Sequence, residues 1–218
     1  MYFNRDIEIM EKCFEIAKKT DCRRMGFGAI IVNEKYNIIS KGVNHIADKS
    51  LEYLCNPECI RNKENIQSRT RLEVCATVHA EQAAIINAYK KGYNNLSNTI
   101  LFVGGIFPDG RKYIKNEKSF TCSFCSRIIA EAGIPKIGVP VKANNELGYE
   151  VMFLNREEYL KSSFEFATGI KKSMIISKSC LFLNTINTNQ VLQESNLLFY
   201  LFFSKHFLFP DIFFLKVF

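Results

Sequence analysis

Three things are missing from this 218-residue chain. Lysine and arginine never gather into a long run: the net charge is +7, but basic residues interleave with acidic ones. That argues against a dedicated nucleic-acid arm and leaves a mild attraction for anionic partners, phosphorylated small molecules foremost. No uninterrupted stretch approaches the ~20 apolar residues a membrane-spanning helix needs. Even the Phe- and Leu-rich segment 197–218 is broken by Lys205, His206, Pro210, Asp211 and Lys216, so membrane contact through it is not expected. The start, Met1-Tyr2-Phe3-Asn4-Arg5, does not read as a secretion signal, so the eight cysteines are expected in a reducing compartment, the cytoplasm, as metal-bound or free thiols and not as disulfides.

The length and the 47% hydrophobic content suit one well-buried domain plus an extension. Ile7, Met10, Phe14 and Ala17 recur at helical spacing. Residues 28–32 and 38–43 read as a β-hairpin, and 44–74 as a long polar loop. A helix is predicted from His79 to about Lys91, a strand over 99–103, a helix from Cys122 to Ala132 stopped by Gly133 and Pro135, strands over 136–139 and 150–154, and a closing helix over 156–166. Helices alternating with short buried strands predict an α/β sandwich. The domain is expected over 1–168, and 169–218 as an extension: docked on the domain, disordered, or lying on a membrane surface.

His79-Ala80-Glu81 and Cys122-Ser123-Phe124-Cys125 carry the chemistry. One imidazole and two thiols make three zinc ligands, and three ligands leave a coordination position for water, as in catalytic sites; a structural zinc site is closed by four. C-x-x-C lets both sulfurs reach one ion from a single helical turn, and a helix N-terminus favours thiolate. Glu81 is placed beside the water without being a ligand, able to carry its proton to a ring nitrogen and then to departing ammonia. Order and spacing match the H-x-E…P-C-x-x-C signature of zinc nucleobase deaminases, with Thr121 in place of proline. Thr121 is expected to act as an N-cap there. Read separately, His79 could be a core histidine and the C-x-x-C a zinc knuckle or redox pair.

Cys22-Arg23-Arg24 before Gly28-Ala29-Ile30-Ile31-Val32, then Gly42-Val43-Asn44, Cys55, Cys59-Ile60-Arg61, the run from Cys75 to Gln82, and Cys125 to Ile134 together resemble the deoxycytidylate deaminases and their bacterial competence-operon relatives, over roughly residues 5–165. The resemblance implies a three-layer α/β/α cytidine-deaminase-like fold with a central five-stranded mixed sheet, a homo-oligomer, and one catalytic Zn2+. It also implies that Cys22, Cys55, Cys59 and Cys75 hold a second, structural zinc, which would staple the long loop; the alternative is buried free thiols. Asn44 matches the family's sugar-contacting Asn, although Val43 and His45 depart from its Tyr and Gly. Ala80 is a further expected substrate contact, with His45 and Arg24 as candidates for sugar or phosphate.

The expected activity is hydrolytic deamination of a cytosine nucleotide, dCMP to dUMP foremost. Two alternatives stand beside it: deamination of adenine, guanine or a tRNA base, and a non-catalytic zinc-stabilised binding module.

Overall fold

The computed structural model describes residues 4–114 and 121–170, so the three readings of the extension lie outside the described residues. Helix α1 (Arg5–Ala17) starts where the Asn4 side chain accepts from the Asp6 N–H, 3.0 Å, and buries Ile9, Met10, Cys13, Phe14 and Ala17. Strands β1 (Gly26–Asn33) and β2 (Ile38–Val43) form the expected hairpin. Its turn is organised by the Asn33 side chain, which accepts from the N–H groups of Lys35 and Asn37.

The long loop has more structure than its polarity predicts. It contains β3 (His45–Ile46), a 3-10 helix (Lys49–Leu54), the single-turn α2 (Ile60–Lys63) and a second 3-10 helix (Leu72–Val74), before β4 (Thr77–Val78) pairs antiparallel with β3. Then come α3 (Ala80–Lys90), β5 (Thr99–Ile106), β6 (Lys112–Tyr113), α4 (Ser123–Glu131), β7 (Lys136–Lys142), β8 (Tyr149–Asn155) and α5 (Arg156–Thr168).

The main sheet runs β2-β1-β5-β7-β8, with the short β6 beside β5. Among the described residues only β5 and β7 pair in parallel, so the sheet is mixed, as expected. Alternation along β1 makes two cores. Ala29 and Ile31 join residues of α3, α4 and α5, whereas Ile30 and Val32 join α1 on the opposite face. The fold is therefore a three-layer α/β/α sandwich.

Two glycines let the helices touch the sheet backbone. A Cβ on Gly28 would stand 2.1 Å from the Cys13 carbonyl oxygen, and one on Gly42 would stand 2.3 Å from both the Ala80 oxygen and the Ala84 nitrogen. Helix α3 is pinned to β2 by side chains as well: Ser40 Oγ donates to the Ala84 carbonyl (2.7 Å), Asn87 to that of Lys41 (2.9 Å) and Lys91 to that of Ile39 (3.0 Å). Among the described residues, no helix is long and apolar enough to cross a membrane.

Candidate metal centre and active site

Both motifs sit at helix N-termini. His79 is the N-cap of α3, its backbone N–H bound by the Gln82 side chain at 2.9 Å. Cys122 is the N-cap of α4, its sulfur accepting from the Cys125 N–H at 3.3 Å. This corrects the expectation for Thr121: the cysteine itself caps the helix, and Thr121 is buried one residue earlier. The sulfur that caps the helix is thus also one available to a metal, because a thiolate can accept from the helix's N-terminal N–H groups.

The ligand atoms of His79, Cys122 and Cys125 all lie within 4.8 Å of one another. His79 Nδ1 stands 3.2 Å from Cys125 Sγ and 3.5 Å from Cys122 Sγ. A tetrahedral zinc with Zn–N of about 2.05 Å and Zn–S of about 2.3 Å separates such atoms by about 3.5 Å. The donor set and its spacing fit zinc, and three protein donors leave the fourth position open.

Electrostatics follow the packing. Contact with Cys125 leads the effects that hold the Cys122 thiol down at about 4, against burial and with help from His79. Burial opposes charge on His79, yet the Cys122 and Cys75 thiols and the Glu81 carboxylate outweigh it and push His79 up to about 11. Cys125 is raised by burial and by Cys122. Glu81 is 6% exposed, and burial raises its carboxyl above the ordinary range against the opposing pull of His79.

A cavity of about 120 Å³ opens onto this group, its walls including Phe27, Asn44, His79, Ala80, Glu81 and Tyr113. The Asn44 amide is largely committed to structure: its oxygen accepts from the Phe27 N–H (2.7 Å) and Thr20 Oγ1 (2.9 Å), and its nitrogen donates to the Met25 carbonyl (2.9 Å). Among the described residues, one Asn44 amide N–H is left uncommitted. Arg24 lines the same cavity. His45 does not; its Nδ1 lies 2.9 Å from its own loop's Val43 carbonyl. Phe27 and Tyr113, which meet edge to face at 5.9 Å, were not legible as site residues, because neither belongs to a motif.

The four other cysteines converge. Burial raises Cys55 to about 11, and Cys59, Cys22 and Cys75 each add to it; burial likewise raises Cys22, with Cys75 and Cys59 adding. Among the described residues, however, only the His79 group draws its ligand atoms within 4.8 Å. Cys75 reaches back toward the first centre: burial opposes its thiolate, but contacts with His79 and Thr77 bring it down to about 7.

A three-layer α/β sandwich with an open His-Cys-Cys centre beside a buried carboxylate defines a zinc-dependent hydrolase of the base-deaminase class. Residues 3–140 match the family model described as the cytidine and deoxycytidylate deaminase zinc-binding region. The chain belongs to that family. Among solved structures it is similar to a cytidine deaminase from Burkholderia pseudomallei, at 15% identity over 70% of this chain and 94% of that one, TM-score 0.44. It is also similar to RibD from Acinetobacter baumannii, at 16% identity over 66% of this chain and 30% of that one, TM-score 0.34. No curated protein matches.

Proposed function

We propose that this chain converts dCMP to dUMP with release of ammonia. The observation that carries the proposal is the joining of the three ligand atoms and the buried Glu81 in one small cavity at the start of α3. His79, Cys122 and Cys125 would hold zinc, which would supply Lewis acidity to activate water at neutral pH. Glu81 takes a proton as water adds at the amino-bearing ring carbon and passes it to the adjacent ring nitrogen; it then takes the proton of the newly added hydroxyl as the carbonyl forms and delivers it to the amino group, which leaves as ammonia. Burial suits Glu81 to both duties, since a carboxyl raised above its ordinary range accepts a proton more readily than an exposed one and can still return it. The free N–H of Asn44 is assigned to the sugar, and Ala80 to the wall against the base. Phe27 and Tyr113 restrict water.

In the same reading, Cys22, Cys55, Cys59 and Cys75 are the donors for a structural zinc that would fasten the long loop; they influence one another electrostatically, although their sulfurs do not all meet within 4.8 Å here. Residues 1–168 make the cytoplasmic catalytic domain and 169–218 an extension. Ile86, Tyr89 and Tyr93, all exposed around α3, offer an apolar surface for a homo-oligomer.

Ammonia release from dCMP, CMP, deoxycytidine, cytidine, adenosine and guanine by zinc-loaded protein tests the proposal. Turnover of dCMP above the others is expected. Turnover of a purine alone moves the assignment to another base, and a folded, zinc-bound protein inert toward the whole panel overturns it.

A further inference from the structure

Phe27, Gly105 and Tyr113 stand in register across three strands, β1, β5 and β6. The central residue leaves room for its neighbours: a Cβ on Gly105 would lie 2.6 Å from the Phe27 ring. Across that gap the Phe27 and Tyr113 rings meet edge to face, and Phe107 meets Tyr113 in the same way at 5.5 Å. Phe27 and Tyr113 thereby form one wall of the cavity that His79 and Glu81 also line.

Little backbone holds Tyr113 there. Strand β6 is two residues long and, among the described residues, pairs with β5 alone. Because β1 takes one edge of β5 along its whole length and β7 pairs with the other only as far as Phe102, β6 lies where β5 and β7 part. So short a pairing is weak by itself, and the ring needs a second tie.

Lys112 supplies it. Consecutive strand residues leave opposite faces of a sheet, so Tyr113 packs with the α3 core while Lys112 reaches the α1 side. There Lys112 Nζ donates to Glu11 Oε1 of α1 at 2.5 Å and lies 5.1 Å from the Phe14 ring centroid and 5.0 Å from that of Tyr149. The Tyr149 hydroxyl donates to the same Glu11 oxygen, and the Phe14 and Tyr149 rings meet edge to face at 5.6 Å. The Lys112 and Glu11 side chains are only 34% and 39% exposed. An isolated surface ion pair contributes little, but a shared carboxylate and two aromatic faces hold the ammonium in one geometry.

We propose that Lys112 is a positioning residue for the active site: clamped between α1 and β8, it fixes β6 so that Tyr113 stays against Phe27 as the wall that confines the substrate. Lys112 touches no reacting atom and acts through Tyr113. The inference rests on the cavity being the nucleotide site proposed above.

Zinc-loaded wild type, Lys112→Met, Lys112→Arg, Tyr113→Ala and the Lys112→Met/Tyr113→Ala double variant are compared in turnover of dCMP. Without substrate, fluorine NMR of fluorotyrosine-labelled protein follows the Tyr113 signal, assigned by its loss in Tyr113→Phe. Lys112→Met, which removes the charge, is expected to raise KM about fivefold with kcat changed less than about twofold, and to shift or broaden the Tyr113 signal. Lys112→Arg keeps a cation over the rings and restores both. Once Tyr113 is alanine, Lys112→Met changes KM by less than about twofold, because the group it positions is gone. A wild-type KM or an unmoved Tyr113 signal in Lys112→Met, an equal KM effect in the absence of Tyr113, or failure of Lys112→Arg to restore both overturns the inference. A Tyr113 signal governed by Lys112 in a protein that releases ammonia from no cytosine compound overturns the catalytic reading instead.

Discussion

Replacing Gly42 with alanine pushes α3 off the sheet and, with it, two parts of the active site. The new Cβ would lie 2.3 Å from the Ala80 oxygen and from the Ala84 nitrogen, and 2.9 Å from the Ala83 carbonyl carbon. All three are backbone atoms, so no side-chain rotation relieves the clash. Ordinary contact begins near 3.4 Å, leaving α3 to retreat by about 1.1 Å. The retreat strains the bonds from Ser40, Asn87 and Lys91 that tie β2 to α3. Overpacking of this kind costs ~1–3 kcal/mol, and its backbone character puts Gly42→Ala near the upper end. For a domain of this size that lowers Tm by about 6–12 °C. Because α3 begins at His79 and carries Glu81, a displacement of ~1 Å also lowers kcat by about a hundredfold. Thermal unfolding and ammonia release are compared in wild type, Gly42→Ala and the neighbouring exposed-site control Lys41→Ala. Wild-type Tm and rate in Gly42→Ala would refute the claim that backbone contact with β2 sets the position of the catalytic helix.

Zinc affinity depends steeply on pH, since His79 (about 11) and the raised Cys125 must each shed a proton while Cys122 (about 4) is already thiolate. Competition with a chelator between pH 6 and 8 should give a rise of about two log units per pH unit, and a flat profile contradicts the assignment. Tyr36 donates to the Asp6 carboxylate, and burial, with that bond, raises its phenol to about 12. A raised folded-state pKa means its contribution is fully present below the unfolded value near 10 and lost as pH climbs through about 12. Unfolding midpoints in that window should therefore fall more steeply in wild type than in Tyr36→Phe; parallel profiles count against it.

Elements with a periodic apolar face or strong stop signals were legible from sequence: α1 through Ile7, Met10 and Phe14, α4 through Gly133, and the hairpin through its β-branched run. The centre was legible because metal chemistry fixes residue type and spacing independently of packing. Strand β5 runs on to Ile106, past residue 103, because Gly104 and Gly105 pair with Gly28 and Phe27, although two glycines read locally as a break. The interior of the 44–74 loop was illegible for another reason. Its order comes from single polar side chains bonded to distant backbone, Asn44 to Phe27 and Met25 and Arg61 to three carbonyls, and such bonds leave no period in the sequence. His45 stood beside Asn44 in the sequence, but its side chain binds back to Val43 and not into the cavity.

The central claim is that Glu81 moves protons beside a zinc it does not bind. Zinc content and ammonia release measured together in wild type and Glu81→Gln test it most directly. The account predicts unchanged zinc per subunit with turnover reduced by about 10²–10⁴-fold. Zinc lost together with activity, or turnover within tenfold of wild type, would contradict it.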